Sequence, residues 1–110
     1  MTRDIKKSYI IYIQQILTSY IIFFADLATW HSQRCCEELV AAGAIDTLLR
    51  LIRLISRSIP DQEVLKHVLS TLRNLAHYPH LLEVVIQRQG SIQTIVLELL
   101  RFQYFVVVSH

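Results

Sequence analysis

The sequence predicts an all-α fold, a right-handed helical solenoid of about two to two and a half repeats, on three observations. Apolar residues recur at helical spacing along most of the chain. Gly and Pro are scarce, two of each in 110 residues, and fall between or at the starts of the periodic segments. The third observation is repetition. Gly43-Ala44-Ile45-Asp46-Thr47-Leu48-Leu49 returns 47 residues later as Gly90-Ser91-Ile92-Gln93-Thr94-Ile95-Val96, and Phe24-Ala25-Asp26-Leu27-Ala28-Thr29-Trp30 returns 48 residues later as Leu72-Arg73-Asn74-Leu75-Ala76-His77-Tyr78. Such a period marks stacked units of two or three helices that cannot bury their apolar faces alone.

The first helix is predicted from about Ile5 to Thr29. Tyr9, Ile13, Ile16, Tyr20, Phe23 and Leu27 share one stripe, which predicts a buried side. The run from Tyr9 to Ala25 is about as long as a short membrane span and follows Lys6-Lys7. Gln14, Gln15, Thr18 and Ser19 interrupt it, Asp26 closes it and no small-x-small cleavage site follows, so a buried helix is expected and a membrane is not. A short helix from Gln33 to Ala42 and another from Ala44 to Ser56 flank Gly43, where positive φ costs glycine least. The next helix, Pro60 to His77, has Ser58 as a candidate cap and Pro60 in its first turn. Leu65, Val68, Leu69, Leu72, Leu75 and Ala76 form its expected core stripe, and Lys66, Ser70, Arg73, Asn74 and His77 its other face. Helices from His80 to Gln89 and from Ser91 to Phe102 flank Gly90. The tail RFQYFVVVSH turns to aromatic and β-branched residues and is expected as an atypical, truncated or alternatively spliced end in place of a capping helix. The expected layout is one helical domain over 1–110: a partial repeat over 5–42, a full one over 43–89 and the start of another over 90–110.

The period lies at the upper edge of the armadillo and HEAT range. From Leu39 to Leu100 the pieces AAGAIDTLLRLI and VLSTLRNLA resemble armadillo repeats, whose glycine introduces the first two helices and whose third helix ends in A/L-x-x-L-x-N-L-A along a concave groove. The resemblance implies that Asn74 stands where the family's amide bonds the backbone of an extended peptide, with Asp26 at the matching place one unit earlier. Nuclear-import adaptors of the family carry tryptophan four residues before that asparagine. Ser70 and Ile22 stand there in this chain, so binding of nuclear localisation signals is not expected.

Over Cys35 to Leu100, about 60% of the chain, the sequence most resembles the C-terminal armadillo-like region of the abnormal spindle (microcephaly-associated) family, particularly its plant members. The phrases CCEELVAAGAIDTLLRLI and SRSIPDQEVLKHVLSTLRNLAHYPHL carry the likeness. It implies a part in mitotic spindle and microtubule organisation, in the cytoplasm and cytoskeleton or the nucleus. Calmodulin binding through IQ motifs is not carried over. After Ile86-Gln87 the required Arg-Gly pair falls on Ser91-Ile92, and after Ile92-Gln93 it falls on Leu97-Glu98.

Charge and chemistry narrow the function further. Eleven Lys and Arg against nine Asp and Glu, with no run of like charge longer than Lys6-Lys7, do not predict nucleic-acid binding. Adjacent Cys35 and Cys36 do not suit an unstrained disulfide and fit a reducing compartment. A metal site from His31, Cys35 and Cys36 with His77 or His80 is not expected, because tandem cysteines diverge by about 100° on a helix and no C-x-x-C or H-E-x-x-H is present. With neither an oxyanion element nor an orienting third group for a Cys–His pair, no catalytic residue and no cofactor are predicted, and the chain is not expected to be an enzyme.

Two surfaces remain as candidates for binding a protein or peptide. One is Lys66, Ser70, Arg73, Asn74 and His77 on the third-type helix. The other is Arg50, Arg53 and Arg57, at i, i+3 and i+7, facing an acidic partner or simply complementing a helix C-terminus. The expected function is that of a non-enzymatic protein-binding scaffold fragment. Its alternatives are a generic armadillo adaptor in ubiquitination or transport and an N-terminally membrane-anchored helical protein. The open repeat ends are expected to be apolar and to favour self-association.

Overall fold

A computed structural model describes residues 2–55 and 59–109 and forms six helices, with no strand among the described residues. In order they are α1 (Thr2–Thr29), α2 (Gln33–Ala41), α3 (Ala44–Leu54), α4 (Ile59–Ala76), α5 (Pro79–Gln87) and α6 (Ser91–Ser109). Local chemistry sets most of the boundaries. The Ser32 hydroxyl accepts from the Cys35 N–H and caps α2, while Pro79 opens α5 in the first-turn position that needs no N–H. Gly43 and Gly90 turn the chain between helices at φ +86° and +77°, a region costly for residues with a Cβ.

Two expected boundaries are corrected. α3 stops at Leu54 because Ile55 adopts extended backbone, φ −69° and ψ 130°. Ser56, Arg57 and Ser58, and with them the expected helix cap, lie outside the described residues. At the other end α6 continues to Ser109, well past Phe102. No Gly or Pro follows Gly90, so nothing in the tail breaks the backbone hydrogen-bond ladder, and the weak helix propensity of valine is too small to end it.

The helices stack as a curved layer measuring 52 × 35 × 25 Å, with α4 packed against α1, α2, α3 and α5. One apolar cluster joins Cys36 of α2, Ile45, Leu48, Leu49 and Ile52 of α3, Val64, Leu65, Val68, Leu72 and Leu75 of α4, and Leu81 and Val85 of α5. Four of the six residues expected to form the α4 stripe are fully buried; Leu69 and Ala76 are partly so.

The buried stripe expected on α1 is a correction of substance. Tyr9, Ile13, Ile16, Tyr20, Phe23 and Leu27 are all exposed, and Ile22 and Thr29 are the buried positions of the described helix. α1 meets α4 along one face, where Ile22 and Thr29 are buried, Thr18, Ala25 and Asp26 are half-buried and the Phe23 ring lies edge-on to His67 at 5.2 Å. The opposite face, with no helix laid on it among the described residues, keeps its apolar side chains in solvent. Asp4–Thr29 is also long and apolar enough to cross a membrane.

Candidate functional site: the seam between α1 and α4

The offset of 48 residues places Asp26 of α1 and Asn74 of α4 at equivalent positions of successive units, and the structure brings them together. Asn74 Nδ2 donates to the Asp26 carboxylate at 3.1 Å, to the Asp26 main-chain oxygen at 3.1 Å and to Thr29 Oγ1 at 3.0 Å. Ser70 Oγ donates to Asp26 Oδ1 at 2.7 Å, and His67 Nδ1 lies 2.8 Å from Asp26 Oδ2. A carboxylate only accepts, so Nδ1 of His67 carries the proton in this contact. The Thr29 hydroxyl turns back to Ala25 O at 2.7 Å, and Cys36 Sγ donates to Thr29 O at 3.3 Å from beneath. Burial pulls the Asp26 carboxyl upward, but the hydrogen bonds from His67, Ser70 and Asn74, with the charge of His67, outweigh it and hold the group below its usual value.

Beside this network a cleft of about 320 Å³ is lined by Trp30, His31, Arg73, Asn74, His77 and Tyr78. The guanidinium of Arg73 sits 5.6 Å from the centre of the Trp30 ring, within cation–π range, and also donates to Ser70 Oγ at 3.2 Å. His31 holds a positive φ of 59° and stacks edge-on against Trp30 at 4.2 Å. His77 contacts the Tyr78 ring at 5.1 Å.

Of the first candidate set, Lys66, Arg73 and His77 are exposed, Ser70 is half-buried and Asn74 is buried. The five therefore do not share one open face: Ser70 and Asn74 turn toward α1 and spend their donors on Asp26 and Thr29. Of the second set, Arg50 is exposed on α3, whereas Arg53 Nε donates to Thr94 Oγ1 of α6 at 3.3 Å. Arg53 thus ties α3 to α6, and the Arg88–Asp46 ion pair at 2.6 Å links the end of α5 to α3 nearby. Arg57 lies outside the described residues. Sequence reasoning missed Trp30 and His67. The 48-residue offset, which pairs Trp30 with Tyr78, was a signal for the first, while His67 pairs with Ser19 and left none.

The stretch from α2 to α4 gives the assignment its anchor: residues 32–77 match the family model of the armadillo/beta-catenin-like repeat. The chain carries an armadillo repeat. The curated relatives of this armadillo chain include the abnormal spindle-like microcephaly-associated protein homolog of Mus musculus, 33% identical over 76 residues, which are 69% of this chain and 2% of that protein. The homologs of Saimiri boliviensis boliviensis and Bos taurus are 34% and 33% identical over 69% and 64% of the chain. The chain spans about 2% of the length of these relatives. No solved structure matches it. The six helices and the armadillo repeat over residues 32–77 support a helical scaffold of the protein-binding kind.

Proposed function

We propose that the chain is a non-enzymatic scaffold segment that binds a protein partner on the mitotic spindle or its microtubules, in the cytoplasm and cytoskeleton. The observation that supports this reading most is the cleft beside the Asp26–Asn74 network, where Trp30 and Arg73 form an aromatic and cationic shelf with His77 alongside. A network that already holds Ser70 and Asn74 leaves little to order when a partner arrives, which favours affinity. Trp and Arg are also the side chains that most often anchor interfaces. Lys66, Arg73 and His77 are exposed on α4, where they suit an acidic or carboxylate-bearing segment, and Arg50 is exposed on α3. The similarity to abnormal spindle-like proteins is the support for that cellular setting. The reading includes one helical domain over 1–110 and no calmodulin site.

The test is capture from mitotic extract together with microtubule co-sedimentation, comparing the full chain with Trp30→Ala and with Lys66→Glu/Arg73→Glu. Specific capture that both variants lose is expected. Unchanged capture by both would remove the cleft from the function. Partners belonging to ubiquitination or transport, with no spindle protein among them, would favour a generic armadillo adaptor. A second reading, an N-terminal membrane anchor, draws on the exposed apolar length of α1; release of the cellular protein by carbonate would exclude it.

A further inference from the structure

The cleft between the C-terminal ends of α1 and α4 gathers hydrogen-bond donors and no negative charge. Trp30, His31, Arg73, Asn74, His77 and Tyr78 line it, and among the described residues no carboxylate belongs to that lining. Asp26 lies behind it, held by His67, Ser70 and Asn74, and the Asn74 amide nitrogen is spent on Asp26 and Thr29. The polar side chains left to meet a ligand are Arg73, His31 and His77, all exposed. A guanidinium has donors to spare beyond the Arg73 bond to Ser70, and an imidazole presents a ring N–H whether or not it is protonated. Lys66 stands two turns before Arg73 on α4, about 10 Å away at ~1.5 Å per residue, and both line one groove along that helix. An extended peptide covers that distance in about three residues.

We infer that the cleft takes the phosphate of a phosphoserine or phosphothreonine in the protein partner, with an acidic residue of the same segment about three positions away on Lys66. The inference rests on the partner-binding reading of the cleft and names the group recognised there. A side-chain carboxylate has two oxygens in one plane, which a guanidinium satisfies alone, leaving both imidazoles unused. A phosphate brings nearly two charges and three acceptor oxygens, and so draws on donors from both sides: His31 after α1, and Arg73 and His77 on α4 and just after it. At about 320 Å³ the cleft is at the small end of ligand sites, roughly 300–1,000 Å³, and suits one side chain of a partner. Trp30, 56% exposed beside it, offers an apolar ring to the residue flanking the phosphate. A nucleic-acid backbone needs a longer row of cations than one arginine and one lysine.

The test is fluorescence anisotropy of the full chain with dye-labelled alanine–glycine peptides. Each carries one phosphoserine and an aspartate three residues before or after it; serine and glutamate versions are the controls. The phosphopeptide of one orientation is expected to bind about tenfold or more tightly than either control. Arg73→Gln and His31→Gly/His77→Gln should each remove most of that preference, and Lys66→Gln should remove only the gain supplied by the aspartate. All four positions are exposed, and circular dichroism checks that the helices persist; if Arg73→Gln unfolds, Arg73→Lys, which keeps the charge and loses the fork, is read in its place. Equal binding of phosphoserine and glutamate peptides, or a preference that survives both cleft variants, would overturn the inference. So would displacement of the peptide by inorganic phosphate at the peptide's own concentration, or binding to phosphoinositide vesicles without binding to the peptide. Phosphatase treatment of the mitotic extract separates this inference from the reading beneath it: capture that survives phosphatase yet falls with Trp30→Ala keeps the cleft and overturns the phosphate, whereas capture indifferent to Trp30→Ala and to the charge reversals removes the cleft itself.

Discussion

Asp26 and Asn74 occupy one position in successive units and are hydrogen bonded to each other, Asn74 Nδ2 donating to Asp26 Oδ1 at 3.1 Å. Because the same amide nitrogen also reaches Asp26 O and Thr29 Oγ1, its loss leaves several half-buried acceptors short of a donor. Asn74→Ala is expected to lower the free energy of unfolding by about 1–3 kcal/mol, read from urea denaturation. Asn74→Asp should be worse at neutral pH, since it sets a second carboxylate against the first.

Acid should weaken the same seam. Asp26 has a folded pKa below its ordinary value of 3.8, so the unfolded chain binds the proton first as pH falls. The stability it contributes is complete above the ordinary value and is lost as pH drops through the folded one. The thermal midpoint should therefore fall in the acid range below about pH 4, and Asp26→Asn should flatten that part of the profile. An Asp26→Asn profile as steep as wild type would assign acid sensitivity to other carboxylates.

Ser91 opens α6 with a hydroxyl that is fully buried and has no hydrogen-bond partner among the described residues. Its counterpart one unit earlier is Ala44, which fills the same place without a polar atom. Ser91→Ala is expected to stabilise the fold by about 1 kcal/mol by relieving an uncompensated desolvation, measured as a higher urea midpoint at constant slope.

The two cysteines should differ sharply toward an alkylating reagent. Cys36 is wholly buried, and burial, followed by the neighbouring Cys35 and Glu37, pushes its thiol pKa up. Cys35 is partly exposed. Mass spectrometry after iodoacetamide treatment of the native chain should find the label on Cys35, with Cys36 modified only after denaturation. Equal labelling would show that α2 opens readily.

The helical plan was legible because spacing and punctuation act locally: Gly43 and Gly90 separate the helices they were expected to separate, and the α4 stripe is buried as its period predicts. Solvent exposure of α1 was not legible, since an apolar stripe reports what a helix is able to bury and carries no record of whether a neighbour is there to cover it. For the same reason the inward turn of Asn74 escaped the sequence. Its amide suits a bound peptide and a neighbouring carboxylate equally well, and only the packing of α1 on α4 brings Asp26 within reach. His67 escaped because nothing in its own helix distinguishes a solvated imidazole from one aimed across a seam.

The central place of α4, which touches α1, α2, α3 and α5, also orders events in time. Amide hydrogens there are sheltered from both sides and exchange only when neighbouring units part. The first turns of α1, with side chains in solvent all round, open by fraying alone. Deuterium should therefore enter the chain as a gradient, early through residues 4–14 and last through Val68 to Leu75. A partner that stiffens the stack would slow the late protons more than the early ones, revealing its arrival even where it touches none of them.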